Sequence, residues 1–212
     1  MHKIISVIVL VCGVLGANEF HQAVQDYQKK NYIKALNTFF KLAQEDDAKA
    51  QYNVGLFYAN GLGVQKDNLQ AQKWYEKAAK QGNGAAQYNL AQMYHIEGLK
   101  DIHAYEKAKY WYEKAIEAGI KEAYNNLGML YLQGFGVEKN EQKAYELFEK
   151  GAKHADSAAQ VNVALLLAWG EHTPHDKMRA YENLKEALKE GRSEASSYLD
   201  MLCQESAWVC KE

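Results

Sequence analysis

Small and apolar residues recur along this chain at helical spacing, in blocks that return about every 36 residues. Ala35, Ala71, Ala108, Ala144 and Ala180 form one ladder; Ala50, Ala86, Ala123, Ala159 and Ala195 form a second in fixed phase with it. The clearest block runs from Ala50 to Gly82. Val54, Gly55, Phe57 and Tyr58 follow Ala50 at helical intervals, and Asn60-Gly61 can stop that helix in a left-handed turn. Asp67 or Asn68 can cap a second helix, whose Ala71, Trp74, Tyr75, Ala78 and Ala79 share one stripe. Gly82 ends it, and Val64 is expected to plug inward between the two.

Later copies keep the plan. Gly98, Gly134 and Gly170 match Gly61, Gly136-Val137 repeats Gly63-Val64, and Trp111-Tyr112 and Leu147-Phe148 repeat Trp74-Tyr75. Gly119 and Gly191 match Gly82, with Ala155 at that place in the fourth unit. Alanine and glycine at fixed positions let helix backbones approach, while the large residues fill the grooves. Two-helix units that bury their faces only against neighbours predict an all-α solenoid of about five helix-turn-helix repeats with a C-terminal capping helix. The repeats are expected at 47–82, 83–119, 120–155 and 156–191, after a capping hairpin at 18–46. A helix and cysteine-containing tail at 192–212 complete the chain.

Residues 1–17 follow another pattern. Lys3 precedes an apolar run from Ile4 to Leu15, with Gly16 and Ala17 before polar Asn18-Glu19. That is the layout of a secretory signal peptide, and the run is short for a membrane span. The expectation is export to a periplasm or the outside, with no membrane span after signal removal. Cys203 and Cys210 then meet an oxidising compartment and should pair. In one continuous helix they would stand about 10 Å apart along the axis, so the last helix should stop soon after Cys203. Ser206 to Val209 should fold back.

Composition narrows the function. A single Pro, 15 Tyr and 48% hydrophobic residues argue for packed helices. A net charge of -2 with interspersed signs leaves no basic stripe for nucleic acid. S-x-x-K, G-x-S-x-G, H-E-x-x-H and the phosphate-binding G-x-x-x-x-G-K-[ST] are absent, so no catalytic set is expected. Glu171, His172, His175 and Asp176 have metal-ligand chemistry, but an exposed loop with a capping Asp176 explains the same letters. Neither metal nor cofactor is expected.

The spaced pattern A-x-x-N-[LV]-[GA]-x-x-Y-x-x-G-x-G-V, followed by A-x-x-W-Y-x-x-A, resembles the Sel-one-like repeat family, relatives of the tetratricopeptide repeats. The resemblance covers roughly Glu19 to Leu202 and implies a right-handed α-α superhelix. The opening hairpin, Phe20 to Lys29 and Tyr32 to Ala43 joined at Lys30-Asn31, resembles a standard tetratricopeptide unit. Some exported relatives staple every repeat with a disulfide. Here Ala79 with Ala86, Ile116 with Ala123 and Ala152 with Ala159 take those places, so β-lactam binding or hydrolysis claimed for that branch transfers poorly.

The resemblance also implies a protein or peptide partner held on a concave face lined by first helices, where an asparagine commonly bonds the bound chain. Asn53, Asn89, Asn126 and Asn162 stand at the matching place, three residues after each ladder alanine. Tyr52, Tyr88, Gln92 and Asn125 point to roughly the same side. Side-chain amides offer both donor and acceptor to a partner, and equally to a neighbouring helix. The expected function is therefore a monomeric, non-catalytic binding scaffold. The alternatives are a secreted factor acting on host or competitor proteins, and a protein with β-lactam-binding or weak β-lactamase-like activity, as claimed for the disulfide-rich relatives.

Overall fold

The computed structural model describes residues 18–171 and 175–210. The expected signal segment at 1–17 and His172 lie outside the described residues. Within them the chain is helical: α1 (residues 18–28), α2 (Tyr32–Gln44), α3 (Ala48–Asn60), α4 (Asn68–Lys80), α5 (Gly84–Gly98) and α6 (His103–Glu117). Then come α7 (Glu122–Gln133), α8 (Glu141–Lys153), α9 (Ser157–Trp169), α10 (Lys177–Lys189) and α11 (Glu194–Glu205). Among the described residues there is no strand, and no helix is long and apolar enough to cross a membrane. The fold is an all-α repeat solenoid in class. It divides into two compact units, Met1–Leu90 and Ala91–Glu212, with α5 crossing the division.

Several helix starts are set by short acidic or amide side chains, whereas α2, α6, α7 and α11 begin without a side-chain cap. Asp47 accepts from the Ala50 amide at 2.8 Å, Asp67 from Leu69 and Gln70, Asn140 from Lys143, and Asp156 from Ala158 and Ala159. Each such cap stabilises its helix by about 1 kcal/mol. Helix ends use left-handed residues: Asp46, Gly82, Gly119, Ala155 and Gly191 have φ of 63°, 85°, 87°, 59° and 92°. The period thus extends to Asp46, although its side chain gives no hint of that conformation.

All ten ladder alanines have 0% exposure. In the first unit they surround Phe39, Leu42, Val54, Phe57 and Trp74. The rings of Phe39 and Phe57 meet edge-on at 5.8 Å, and Phe40 meets Trp74 at 5.4 Å. In the second unit Phe148, Val163, Leu167, Leu184 and Leu202 form the core. Backbones approach where side chains vanish: a Cβ on Gly55 would stand 2.6 Å from the Tyr75 ring. The equivalent pair, Gly128 and Phe148, would meet at 2.5 Å.

The expected equivalence of Gly61, Gly98, Gly134 and Gly170 holds in chain position but not in conformation. Gly61 and Gly134 are left-handed caps, with φ of 69° and 73°. Gly98 is instead the last residue of α5, where a Cβ would lie 2.5 Å from the Tyr105 ring. The third repeat lacks the G-x-G-V turn, so its helix runs on and glycine serves close approach. Gly170 is extended, with φ -66° and ψ 147°. Val64 and Val137, expected to plug inward, are half-buried.

At the C-terminus α11 stops at Glu205 and the chain turns back. Cys203 and Cys210 form a disulfide with their Cα atoms 5.7 Å apart. Val209 is buried beneath the turn, and the Lys177 ammonium donates to the Ser206 hydroxyl at 2.7 Å. Ser196, Ser197 and Asp200 face outward.

Candidate functional site

The candidate residues lie on the first helices of the repeats. On α3, Tyr52 and Asn53 are half-buried. The Asn53 amide turns back on its own helix and donates to the Lys49 carbonyl at 2.8 Å. Tyr52 and Tyr75 lie with ring centroids 5.8 Å apart, and both hydroxyls hydrogen-bond with the Asn89 side chain on α5. Burial pushes the Tyr75 phenol up to about 12, and the Asn89 bond only partly opposes it. Burial also raises Tyr52. Both stay neutral at physiological pH.

In the second unit the Asn162 amide on α9 donates to Asn125 Oδ1 on α7 at 2.8 Å, with Met129 Sδ at 3.9 Å. Tyr52 with Asn89 and Asn125 with Asn162 are equivalent pairs, each 37 residues apart. A ladder asparagine therefore reaches back to the first helix of the preceding repeat. Asn126 and Tyr88 are half-buried and Gln92 is exposed. The structure thus brings Tyr52, Tyr75 and Asn89 into one cluster and Asn125 with Asn162 into another, while Asn53 is engaged within its helix.

A second polar set recurs with the repeat and is not among the candidate residues above. Gln51, Gln87 and Gln160 directly follow ladder alanines and are buried. Gln51 donates to the Ala43 carbonyl at 3.2 Å, and Gln87 to the Ala79 carbonyl at 3.1 Å, tying a helix end to the next helix start. The recurring Ala-Gln dipeptide was the available signal. Gln87 Oε1 and Gln160 Oε1 have no hydrogen-bond partner among the described residues.

The histidines have local roles. Asp176, from the acidic and histidine-rich loop, caps α10 by accepting from the Arg179 amide at 3.0 Å. His175 is exposed. His95 lies half-buried between Tyr105 and Tyr112, with Nδ1 3.4 Å from the Tyr112 hydroxyl. Burial holds its pKa below the ordinary histidine value.

Paired helices, buried alanine ladders and cross-repeat amide ties define a helical-repeat scaffold. The Sel1 repeat family profile matches residues 48–83, 84–120, 121–156 and 157–191, and the chain belongs to that family. A Sel1 repeat protein from Oxalobacter formigenes superposes with a TM-score of 0.74 at 30% identity, over 84% of this chain and 73% of that one. A second similar structure is c5321, a protective antigen of uropathogenic Escherichia coli strains with an SLR fold. It gives a TM-score of 0.58 at 25% identity over 90% of this chain, which spans 49% of that protein. Among curated proteins, a 50-residue stretch is 42% identical to the ERAD-associated E3 ubiquitin-protein ligase component HRD3 of Candida glabrata. That stretch is 24% of this chain and only 6% of HRD3.

Proposed function

We propose that this chain is an exported, non-catalytic scaffold that binds a protein or peptide segment on the faces of its first helices. The observation that carries the reading is the set of Sel1 repeats over residues 48–191, a scaffold architecture typically used for protein interaction. Rigid, pre-stacked hairpins lower the ordering cost of association on the protein's side. Tyr52 and Asn53 lie on such a helix in the first unit; separately, Gln92, Asn125, Asn126 and Asn162 lie on such helices in the second. Gln92 on α5 and Asn126 on α7 serve as probes of binding on these helices. Export is supported by the apolar run at residues 4–15 and by the disulfide, a bond that persists in oxidising compartments.

Crosslinking capture from native cells, comparing the wild type with a Gln92→Arg, Asn126→Arg variant, tests the reading. Loss of a captured protein with unchanged thermal unfolding supports the first-helix face. Equal capture by both proteins rules it out.

A further inference from the structure

Where α1 turns into α2, the first unit carries an open depression of about 650 Å³, lined by Lys30, Tyr32, Ile33, Lys34, Asn37 and Gly63. Its volume falls in the range of ligand pockets. Its surface is largely apolar, and Ile33 is 66% exposed. One wall is Gly63 in the α3–α4 loop. A Cβ there would stand 2.9 Å from the Ile33 amide nitrogen, so the loop presses directly on the start of α2.

The fold repeats this seat in the second unit and fills it differently. Gly136 presses in the same way on Tyr105 and Glu106, the counterparts of Tyr32 and Ile33. There Phe135 stacks on Tyr105, with centroids 4.7 Å apart and planes 12° from parallel. In the first unit Leu62 replaces that phenylalanine, and Ile33 replaces the glutamate. The stacked ring and the solvated carboxylate of one seat have become a smaller aliphatic chain and an exposed apolar surface in the other.

Charge says what the open seat accepts. Its lining holds two lysines and no carboxylate, in a chain of net charge -2. Lys34 is bound to the buried Asp26 at 3.2 Å. Lys30 makes no ion pair among the described residues, and it occupies a left-handed backbone position (φ 62°) where glycine would be less strained.

We propose that this depression binds an acidic peptide segment in which a carboxylate neighbours an aliphatic residue. The aliphatic side chain rests on Tyr32 and Ile33, the carboxylate meets the Lys30 ammonium, and the Asn37 amide bonds the peptide backbone. This site uses α2 and the α3–α4 loop, apart from the first-helix face, so either reading can fail without the other.

The test is fluorescence anisotropy of the purified protein with labelled Ser-Gly-Glu-Leu-Gly-Ser, and with versions carrying Gln or Lys in place of Glu. The Glu peptide is expected to bind saturably, and the Gln peptide about tenfold more weakly. Ile33→Glu, which installs the residue of the second seat, should weaken the Glu peptide by a similar factor. Lys30→Glu should reverse the preference toward the Lys peptide. Leu62→Phe should weaken the Glu and Gln peptides alike by laying a ring over Tyr32. Circular dichroism checks that each variant is folded. Equal affinity for the Glu and Gln peptides, binding untouched by Ile33→Glu, or no saturation at about 1 mM overturns the proposal.

Discussion

Gln81 Nε2 donates to Gln51 Oε1 across 2.8 Å, completing the hydrogen bonding of a glutamine that is 1% exposed. The same pair of positions in the last repeat is Gln160 and Glu190. The equivalence is geometric as well as numerical: Asn83 bonds the Ala48 carbonyl, and Arg192 bonds Ser157 at the matching places. A carboxylate cannot donate, and Gln160 Oε1 is buried without a partner. Glu190→Gln supplies the missing N–H and should stabilise the second unit by about 1 kcal/mol. Urea unfolding checks this. An unchanged midpoint would show that position 190 does not reach Gln160.

Ala155 is the alanine among the five left-handed residues that recur where the second helices of the hairpins end, with φ 59°. The left-handed conformation costs a Cβ-bearing residue roughly 1–2 kcal/mol, and the extra chain entropy of glycine returns part of that. Ala155→Gly should therefore stabilise by about 0.5–1 kcal/mol. Gly119→Ala is the reciprocal experiment. A Cβ there meets nothing within 4 Å, so any loss comes from backbone strain at φ 87°. The two variants should move the thermal midpoint in opposite directions.

These positions mark what could be read from the chain. The alanine ladders were visible because packing at a helix crossing demands a small residue at every period, and all ten proved wholly buried. Asp46 was not visible as a left-handed exit, because an aspartate beside Asp47 reads equally well as part of a helix start. The asparagine column is legible in the chain, with two roles open to each amide. An amide on a helix face can serve a partner or a neighbouring helix, and only the inter-helix distance decides. Asn89 reaches Tyr52 and Tyr75, and Asn162 reaches Asn125, because successive first helices lie that close. The burial of Gln51, Gln87 and Gln160 is not legible in the chain, because a polar letter beside a ladder alanine suggests solvent until the preceding helix end is placed.

Gly128 and Phe148 offer a packing test. A Cβ on Gly128 would stand 2.5 Å from a ring carbon, closer than real contacts allow. Gly128→Ala should cost about 1–3 kcal/mol through overpacking. Phe148→Leu alone should also destabilise, since that ring is fully buried. Combined, the two changes should cost less than the sum, because the smaller side chain makes room for the methyl group. A double-mutant cycle measured by denaturant unfolding checks the coupling; strict additivity would mean the backbone shifts instead.

His95 should make the second unit sensitive to mild acid. Its ring sits against Tyr105 and Tyr112 on α6, and burial lowers its pKa in the folded protein. A lowered folded value means that the unfolded chain binds the proton more readily. The contribution is fully present above the unfolded value of about 6.5, and it is lost as pH falls from there through the folded value. Stability of this unit should therefore decline across that window in the wild type. His95→Phe keeps a ring between the two tyrosines and removes the titrating group, so its stability should vary less over the same range. Thermal unfolding of both proteins from pH 7.5 down to about pH 5 separates the two profiles. Parallel curves would exclude His95 as the source of the acid sensitivity.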